Sequence, residues 1–344
     1  MIETLHALRF VFLMLIVFSH IIGSRFDFGG ECGVSFFFML SGFVLSYAYG
    51  AKVEQGQFET VAFVKRQLLK FYPLHLLAQL AVVLLDARLG HFYDWQHLVP
   101  SILLLQSWIP LDEYYFVANG LSWFLCDILF FYLLFNTVCR WLNRLSLTGL
   151  GMLSVLVGIA YLTLAFLIPM ESVNSILYAA PWTRLIDFCL GILLCRFYKS
   201  AQGHPWTKRL TECDATRWEV LAVVLLTGSF FVYEVLTPRL RCVALFWSVI
   251  PPLLLLFAFA DRGHGRVTRC LKLPLFQWLG SITLEIYLLH MLVFRLANSL
   301  LLSAGLVRGW QVIACELILM ILVAWLAKRF FVDKIYASLK KYVL

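Results

Sequence analysis

Ten apolar stretches, each long enough to cross a bilayer as a helix, follow one another along this chain. Too few polar residues lie between them to cover a soluble protein, since 62% of the 344 residues are hydrophobic and only 14% are charged. The sequence therefore predicts an all-α polytopic membrane protein with about ten transmembrane helices. The stretches lie at residues 7–23, 33–50, 72–89, 121–139, 150–168, 178–196, 218–236, 241–260, 276–300 and 310–330.

An eleventh apolar segment is too short to be a further span. It runs from His97 to Ile109, has Pro100 inside it and is followed by Pro110. A spanning helix needs about 20 residues, and proline interrupts the hydrogen bonding of a helix. We therefore predict one short re-entrant or interfacial segment here.

The basic residues divide unevenly between the two sides of a ten-span arrangement. Twenty of the 28 Lys and Arg residues lie on the connections of one side, five on those of the other side and three within spans. Because basic residues concentrate in cytoplasmic loops, both termini are predicted to be cytoplasmic. The same distribution accounts for the net charge of +8 without nucleic acid as a partner. Since the connections are too short to fold alone, we expect a single domain over residues 1–344 with no fused soluble domain.

Two ionisable residues, Arg9 and His20, lie in the first predicted span. Eleven helical residues turn through about 1100°, close to three full turns, so the two side chains share one face about 16 Å apart. With a cytoplasmic amino terminus, Arg9 lies at the inner end and His20 near the outer end. Charges in spans are costly and usually functional, and histidine can act as a general base near neutral pH. The alternative is that His20 only caps its helix or hydrogen-bonds a neighbouring span.

Further ionisable residues lie in other predicted spans, mostly in their outer halves. Since isolated charges in lipid are costly, we expect these side chains to pair with one another and to line a water-filled cavity. For Arg184 and Asp187, one helical turn apart, the alternative is a purely structural ion pair. The members of this expected polar cluster are Asp127, Arg184, Asp187, His290 and Glu316.

The start and the middle of the second predicted span carry small residues. Gly29, Gly30 and Gly33 lie at its start, and Ser41-Gly42 follows further along. Small residues let helices approach closely, and glycine permits a tight turn. We interpret Ser41 and Gly42 as packing residues, the alternative being a nucleophilic serine. The chain has no G-x-S-x-G, H-E-x-x-H or Walker-type motif, and we expect no metal site.

Three cations, Lys65, Arg66 and Lys70, come just before the third predicted span. Arg66 and Lys70 are four residues apart and therefore share a helix face, where a polyphosphate could be held. The alternative is that these cations serve only as the positive-inside signal.

Ten short segments carry a pattern found in one family of membrane enzymes. They are Ala7–Phe10, Ser19–His20, Gly33–Phe43, Phe63–Arg66, Lys70–Pro73, Trp123–Leu125, Phe131–Tyr132, Phe188–Gly191, Leu279–Gly280 and Ile286–His290. Their order and spacing resemble the acyltransferase-3 family, which O-acylates cell-surface glycans. An arginine and a histidine separated by ten residues, as Arg9 and His20 are, form the family's hallmark. Two departures are Asp127, one position earlier than the glutamate that many members have, and Lys70, where many members have arginine.

The resemblance implies a multi-pass enzyme of the plasma membrane, which is the inner membrane in a bacterium. Its donor would be cytoplasmic acyl-CoA, commonly acetyl-CoA, and its acceptor a hydroxyl of a carbohydrate or lipid-linked glycan on the outer side. His20 and Arg9 are then the expected catalytic residues, and Arg66, Lys70 and Arg9 the expected donor-binding residues. His20 would deprotonate the acceptor hydroxyl directly or act through a transient acyl-enzyme.

A second function is compatible with the same residues. A transporter or flippase for a lipid-linked sugar could use the charges within the spans as a proton relay. Both alternatives have membrane lipids as partners, and only the first depends on acyl-CoA.

Overall fold

Helices are the only regular elements in the part of the chain that the structure describes. This computed structural model describes residues 2–21, 29–212, 214–241, 244–305 and 309–343. The all-α prediction is confirmed over these ranges. The helices are α1 (Glu3–Ser19), α2 (Gly30–Glu54), α3 (Thr60–Arg88), α4 (Trp95–Ile102), α5 (Asp112–Tyr115), α6 (Trp123–Arg144), α7 (Leu147–Leu167), α8 (Pro181–Ala201), α9 (Pro205–Glu212), α10 (Thr216–Val235), α11 (Pro238–Arg241), α12 (Ile250–Ala260), α13 (Arg266–Leu271), α14 (Pro274–Ser281), α15 (Thr283–Ser303), α16 (Trp310–Ala327) and α17 (Asp333–Val343).

Most of the predicted spans are long apolar helices. Among the described residues, eight helical segments are long and apolar enough to cross a membrane, and the bent pair Met170–Tyr178 and Pro181–Ala201 makes a ninth if it is one span. The first predicted span corresponds to α1, which has 17 residues. The end of that prediction, at residues 22 and 23, lies outside the described residues. The polytopic membrane architecture is confirmed, and the cytoplasmic position of both termini stays a prediction.

The central helix of the bundle is α2, which packs against α1, α6, α8 and α12. Two glycines make its contact with α8 unusually close. A Cβ atom on Gly42 would overlap the backbone carbonyl of Phe188, and one on Gly191 would overlap that of Met39. The packing role predicted for Gly42 is therefore confirmed. The hydroxyl of Ser41 donates to the Phe37 carbonyl of its own helix at 2.8 Å.

The contact between α1 and α2 also depends on glycine. Gly29 has a φ of +65°, a left-handed conformation that lets the chain turn into α2. Gly33 faces the backbone of Phe12, where a Cβ atom would meet the carbonyl oxygen at 2.6 Å. The rings of Phe12 and Phe36 stack with their centres 3.8 Å apart. These contacts hold the helix of Arg9 directly against the centre of the bundle.

The predicted re-entrant segment folds back against α3 and does not form a spanning helix. It consists of α4 and a short turn of 3₁₀ helix at Gln106–Trp108. The amide of Gln79 on α3 donates to the hydroxyls of Ser101 at 2.5 Å and Ser122 at 3.2 Å. The Tyr72 hydroxyl donates to the Ile102 carbonyl at 3.1 Å, and since α3 continues for 16 residues beyond Tyr72, the segment reaches about 24 Å back along that helix. The chain continues from this segment through α5 and a 3₁₀ turn at Gly120–Ser122 into α6.

We predict that Gly42→Ala destabilises the protein by at least about 2 kcal/mol, because the added methyl group forces α2 and α8 apart. Thermal unfolding of the detergent-solubilised protein measures this effect. Gly158→Ala on α7 is the matched control, since a Cβ atom there meets no neighbour within 4 Å. Equal stability of the two variants would contradict the close contact between α2 and α8.

Candidate active site

A cavity of about 510 Å³ lies between α1, α2, α3, α6 and α15. We call it the α2 cavity, because its wall follows α2 from Phe37 to Tyr49, a distance of about 18 Å along the helix. Polar side chains enter it from several helices, while most of its wall is apolar or aromatic. These polar residues are Arg9, Ser41, Gln67, Lys70 and Thr283.

Two of the three predicted donor-binding cations line the α2 cavity. Arg9 is half-buried on α1, and Lys70 enters from α3. Arg66 is half-buried one helical turn before Lys70 and interacts with it electrostatically, but the adjoining cavity wall is formed by Gln67. The structure thus places Arg9 and Lys70 together, with Arg66 beside them.

Arg9 has a negative charge from α15 within electrostatic range. This charge belongs to Glu285, a buried residue whose Oε1 atom is 3.6 Å from the Nζ atom of Lys328. Lys328 begins a short π-helical turn, Lys328–Val332, at the end of α16. A nearby opposite charge stabilises the ionised form of the arginine. No sequence pattern indicates this pairing, because Glu285 and Lys328 lie far apart in the sequence and on different helical elements.

His20 and His290 form a pair at the far end of α1. The Nε2 atom of His290 is 3.3 Å from Nδ1 of His20, and the ring centres are 5.3 Å apart. His20 ends α1 as its C-cap residue and is half-buried, whereas His290 is fully buried on α15. Sequence analysis named both histidines, and the structure brings them into contact.

The hydrogen bonds of the pair fix the proton positions on both neutral rings. Nδ1 of His290 lies 3.2 Å from the carbonyl of Ile286 and 2.9 Å from that of Tyr287, so it carries the proton and donates. Nε2 of His290 is consequently an acceptor. Nδ1 of His20 lies 2.7 Å from the Ile16 carbonyl and donates to it, and also faces the Nε2 acceptor of His290. When His20 is neutral, its Nε2 atom therefore carries no proton, which is the state that a general base requires.

Arg184 and Asp187 form an ion pair inside the bundle. Their closest nitrogen and oxygen atoms are 3.1 Å apart, and both side chains are 0% exposed. Arg184 also donates to the hydroxyl of Ser35 at 3.1 Å, and Trp247 donates its indole N–H to Asp187 at 2.5 Å. The guanidinium lies 5.0 Å from the centre of the Phe38 ring. This geometry favours the structural alternative that the sequence left open.

The expected polar cluster does not line the α2 cavity. Asp127 is fully buried on α6 within electrostatic range of Arg184, and Glu316 is buried on α16. With Arg184, Asp187 and His290, all five predicted members lie away from the wall of this cavity. The physical reason is that these groups have partners inside the bundle: Arg184 and Asp187 pair with each other on α8, and His290 bonds to His20 and to backbone carbonyls of its own helix.

One buried acid that pairs with a cation of another helix was missed by the sequence analysis. Asp86 accepts a hydrogen bond from Arg295 at 2.7 Å and another from the Tyr93 hydroxyl. Only the position of Asp86 at the end of an apolar stretch could have marked it.

In the described part of the chain, no three His, Cys, Asp or Glu side chains lie close enough to hold a metal ion.

Comparison with known proteins identifies a family and a relative. The model of a family described as an acyltransferase domain matches residues 2–329. A curated protein named Acyltransferase MdmB, from Streptomyces mycarofaciens, is 27% identical over 300 residues, which cover 82% of this chain and 73% of that protein. No solved structure matches the chain.

We predict that Arg184→Leu destabilises the protein by about 3–5 kcal/mol, because it leaves the Asp187 carboxylate buried without its cation. The double variant Arg184→Leu/Asp187→Leu should recover most of this loss, since it removes both charges. Unfolding of the purified protein in detergent compares the two. A double variant as unstable as the single one would contradict a mainly structural role for the pair.

Proposed function

Since the chain belongs to the acyltransferase-3 family and is a membrane acyltransferase, we propose that it transfers an acyl group across the plasma membrane. The donor is cytoplasmic acyl-CoA, with acetyl-CoA as the favoured form. The acceptor is a hydroxyl of a carbohydrate or lipid-linked glycan on the outer side.

The position of the α2 cavity carries this proposal. Its wall includes Arg9 and Lys70, and it extends as far as Tyr287, which is one helical turn from His290. A molecule in the cavity can therefore contact cations along its length and approach the histidine pair with its other end. Dependence of the product on acyl-CoA is what separates this function from transport of a lipid-linked sugar.

The residues of the cavity fit the parts of an acyl-CoA donor. Arg9 and Lys70, with Arg66 beside them, supply positive charge for its phosphates. The apolar wall, about 18 Å long, suits an extended pantetheine arm. Glu285 stabilises the ionised form of Arg9 electrostatically.

His20 performs the proton transfer in this proposal. Its Nε2 atom takes the proton of the acceptor hydroxyl while the hydroxyl oxygen bonds to the carbonyl carbon of the thioester. The carbon–sulfur bond then breaks, and the leaving sulfur takes the proton back from His20. The products are an ester of the acceptor and the free thiol of coenzyme A. His290 acts as a positioning residue, because it accepts from Nδ1 of His20 and fixes the ring.

The buried charges have supporting roles. Arg184, Asp187 and Asp127 keep α6 and α8 in register with α2, and thereby shape the cavity. Glu316, buried on α16 beside α15, is proposed to orient the acceptor.

We predict that His20→Ala lowers acyl transfer by about 100-fold or more, because the acceptor hydroxyl loses its general base. The assay uses inside-out membrane vesicles that contain the acceptor glycan, supplied with radiolabelled acetyl-CoA. Base-labile label on the glycan is counted. The control is His204→Ala, since His204 is exposed in the connection before α9.

The outcomes separate the two functions. Normal transfer by His20→Ala would remove His20 from the mechanism but leave the acyltransferase intact. If the wild-type protein transfers no label while it changes the movement of a lipid-linked glycan across the membrane, the transporter alternative takes its place.

We predict that Lys70→Gln raises the KM for acyl-CoA about tenfold and changes kcat little, because a charged hydrogen bond to a donor phosphate is lost. Steady-state kinetics at saturating acceptor measure both constants. Lys65→Gln is the matched control, since Lys65 is an exposed cation on the same helix outside the cavity wall. Equal effects of the two substitutions would indicate only the loss of general positive charge.

A further inference from the structure

Three aromatic rings form one end of the α2 cavity. Phe37, Phe124 and Tyr287 come from α2, α6 and α15, and all three contribute to its wall. The ring centre of Phe124 is 6.3 Å from that of Phe37 and 5.2 Å from that of Tyr287. We call this group the aromatic wall. Phe124 is its middle member, because it contacts both of the others.

The aromatic wall is held in place from behind. The hydroxyl of Tyr287 donates to the carbonyl of Leu121 at 2.9 Å, just before α6 begins. Asn119 donates to the carbonyl of Leu288 at 3.0 Å, which joins the same two parts of the chain a second time. Phe124 stacks on Phe38 with ring centres 4.7 Å apart and an angle of 16°. These contacts leave the rings little freedom to move aside.

The aromatic wall lies beside the histidine pair. The ring centre of Tyr287 is 6.2 Å from that of His290, which in turn contacts His20. Any group at the end of a donor in the cavity therefore meets these rings when its thioester is nearest to His20. A longer acyl chain has to displace a packed ring, and such overpacking is unfavourable.

We propose that Phe124 limits the length of the acyl group that this enzyme transfers. This inference rests on the proposed function and adds to it a residue that determines donor specificity. Phe124 is the member best placed for this role, since it is the middle ring of the wall, contacts both of the others and is held by stacking on Phe38. Removal of the Phe124 ring makes room beyond the present end of the cavity.

The test compares acyl-CoA donors of increasing length, from acetyl through butyryl to octanoyl, in the vesicle assay. We expect Phe124→Ala and Phe124→Leu to raise the ratio of hexanoyl to acetyl transfer at least about tenfold. The reason is that a pocket's discrimination between two substrates changes by about tenfold or more for one methylene group. Phe37→Leu opens the same wall from another helix and should shift the ratio in the same direction. Thermal unfolding of each detergent-solubilised variant shows that it is folded.

Phe131→Leu is the matched control. Phe131 lies on the same helix and packs against Phe38 at 5.1 Å, but it is outside the cavity wall. An unchanged donor profile in folded Phe124→Leu and Phe37→Leu would overturn the inference, and so would an equal shift in Phe131→Leu. If the wild-type enzyme uses no acyl-CoA of any length, the proposed function itself fails. Acetyl transfer by the wild type therefore distinguishes the two failures.

Discussion

A bilayer offers no water to a buried polar group, so a charge inside this bundle has to be stabilised by another side chain or a backbone group. The structure meets this requirement with an ion pair within α8, Arg184 with Asp187, and with contacts between helices: Arg184 with Ser35, Arg295 with Asp86, and Lys328 with Glu285. Loss of one partner would leave the other unpaired in a medium of low dielectric constant. These pairs therefore fix the relative positions of the helices, and the position of the α2 cavity depends on them.

The two kinds of contact made by α2 serve different purposes. Along α8 it has glycine, so that backbones meet directly and the two helices act as one rigid unit. On the side of the cavity, larger side chains of α2 keep it at a distance from α1, α3, α6 and α15, and the α2 cavity lies between these helices. The same helix thus provides both a rigid support and a binding surface. A rigid support beside a binding surface suits a reaction in which a flexible donor molecule has to be bound in one extended conformation, as in the proposed acyl transfer.

The sequence was informative wherever a property is local. Hydropathy located the helices, Pro100 and Pro110 marked a segment that does not span, and Gly42 marked a close helix contact. The spacing of Arg9 and His20 was also a local property of one helix. For these features the residues involved are neighbours along the chain, so a pattern in one short segment is sufficient.

Partners on distant helices could not be predicted in the same way. His20 and His290 were both named as candidates, but they are 270 positions apart and nothing in a single sequence indicates that they meet. Ser35 and Trp247 looked like ordinary residues of apolar stretches until the structure placed them beside Arg184 and Asp187. The cavity itself depends on five helices at once. Its shape follows from packing between them, and no segment of the sequence records that packing.

The hydrogen bonds of the histidine pair have a consequence for the movement of protons. From His20, the path leads to Nε2 of His290 and ends where Nδ1 of His290 faces two backbone carbonyls, which cannot pass a proton further. A proton taken up at Nε2 of His20 therefore has no continuation through His290 along α15. The hydrogen bonds of the pair thus suit exchange of a proton with a reacting group rather than conduction of protons along this helix.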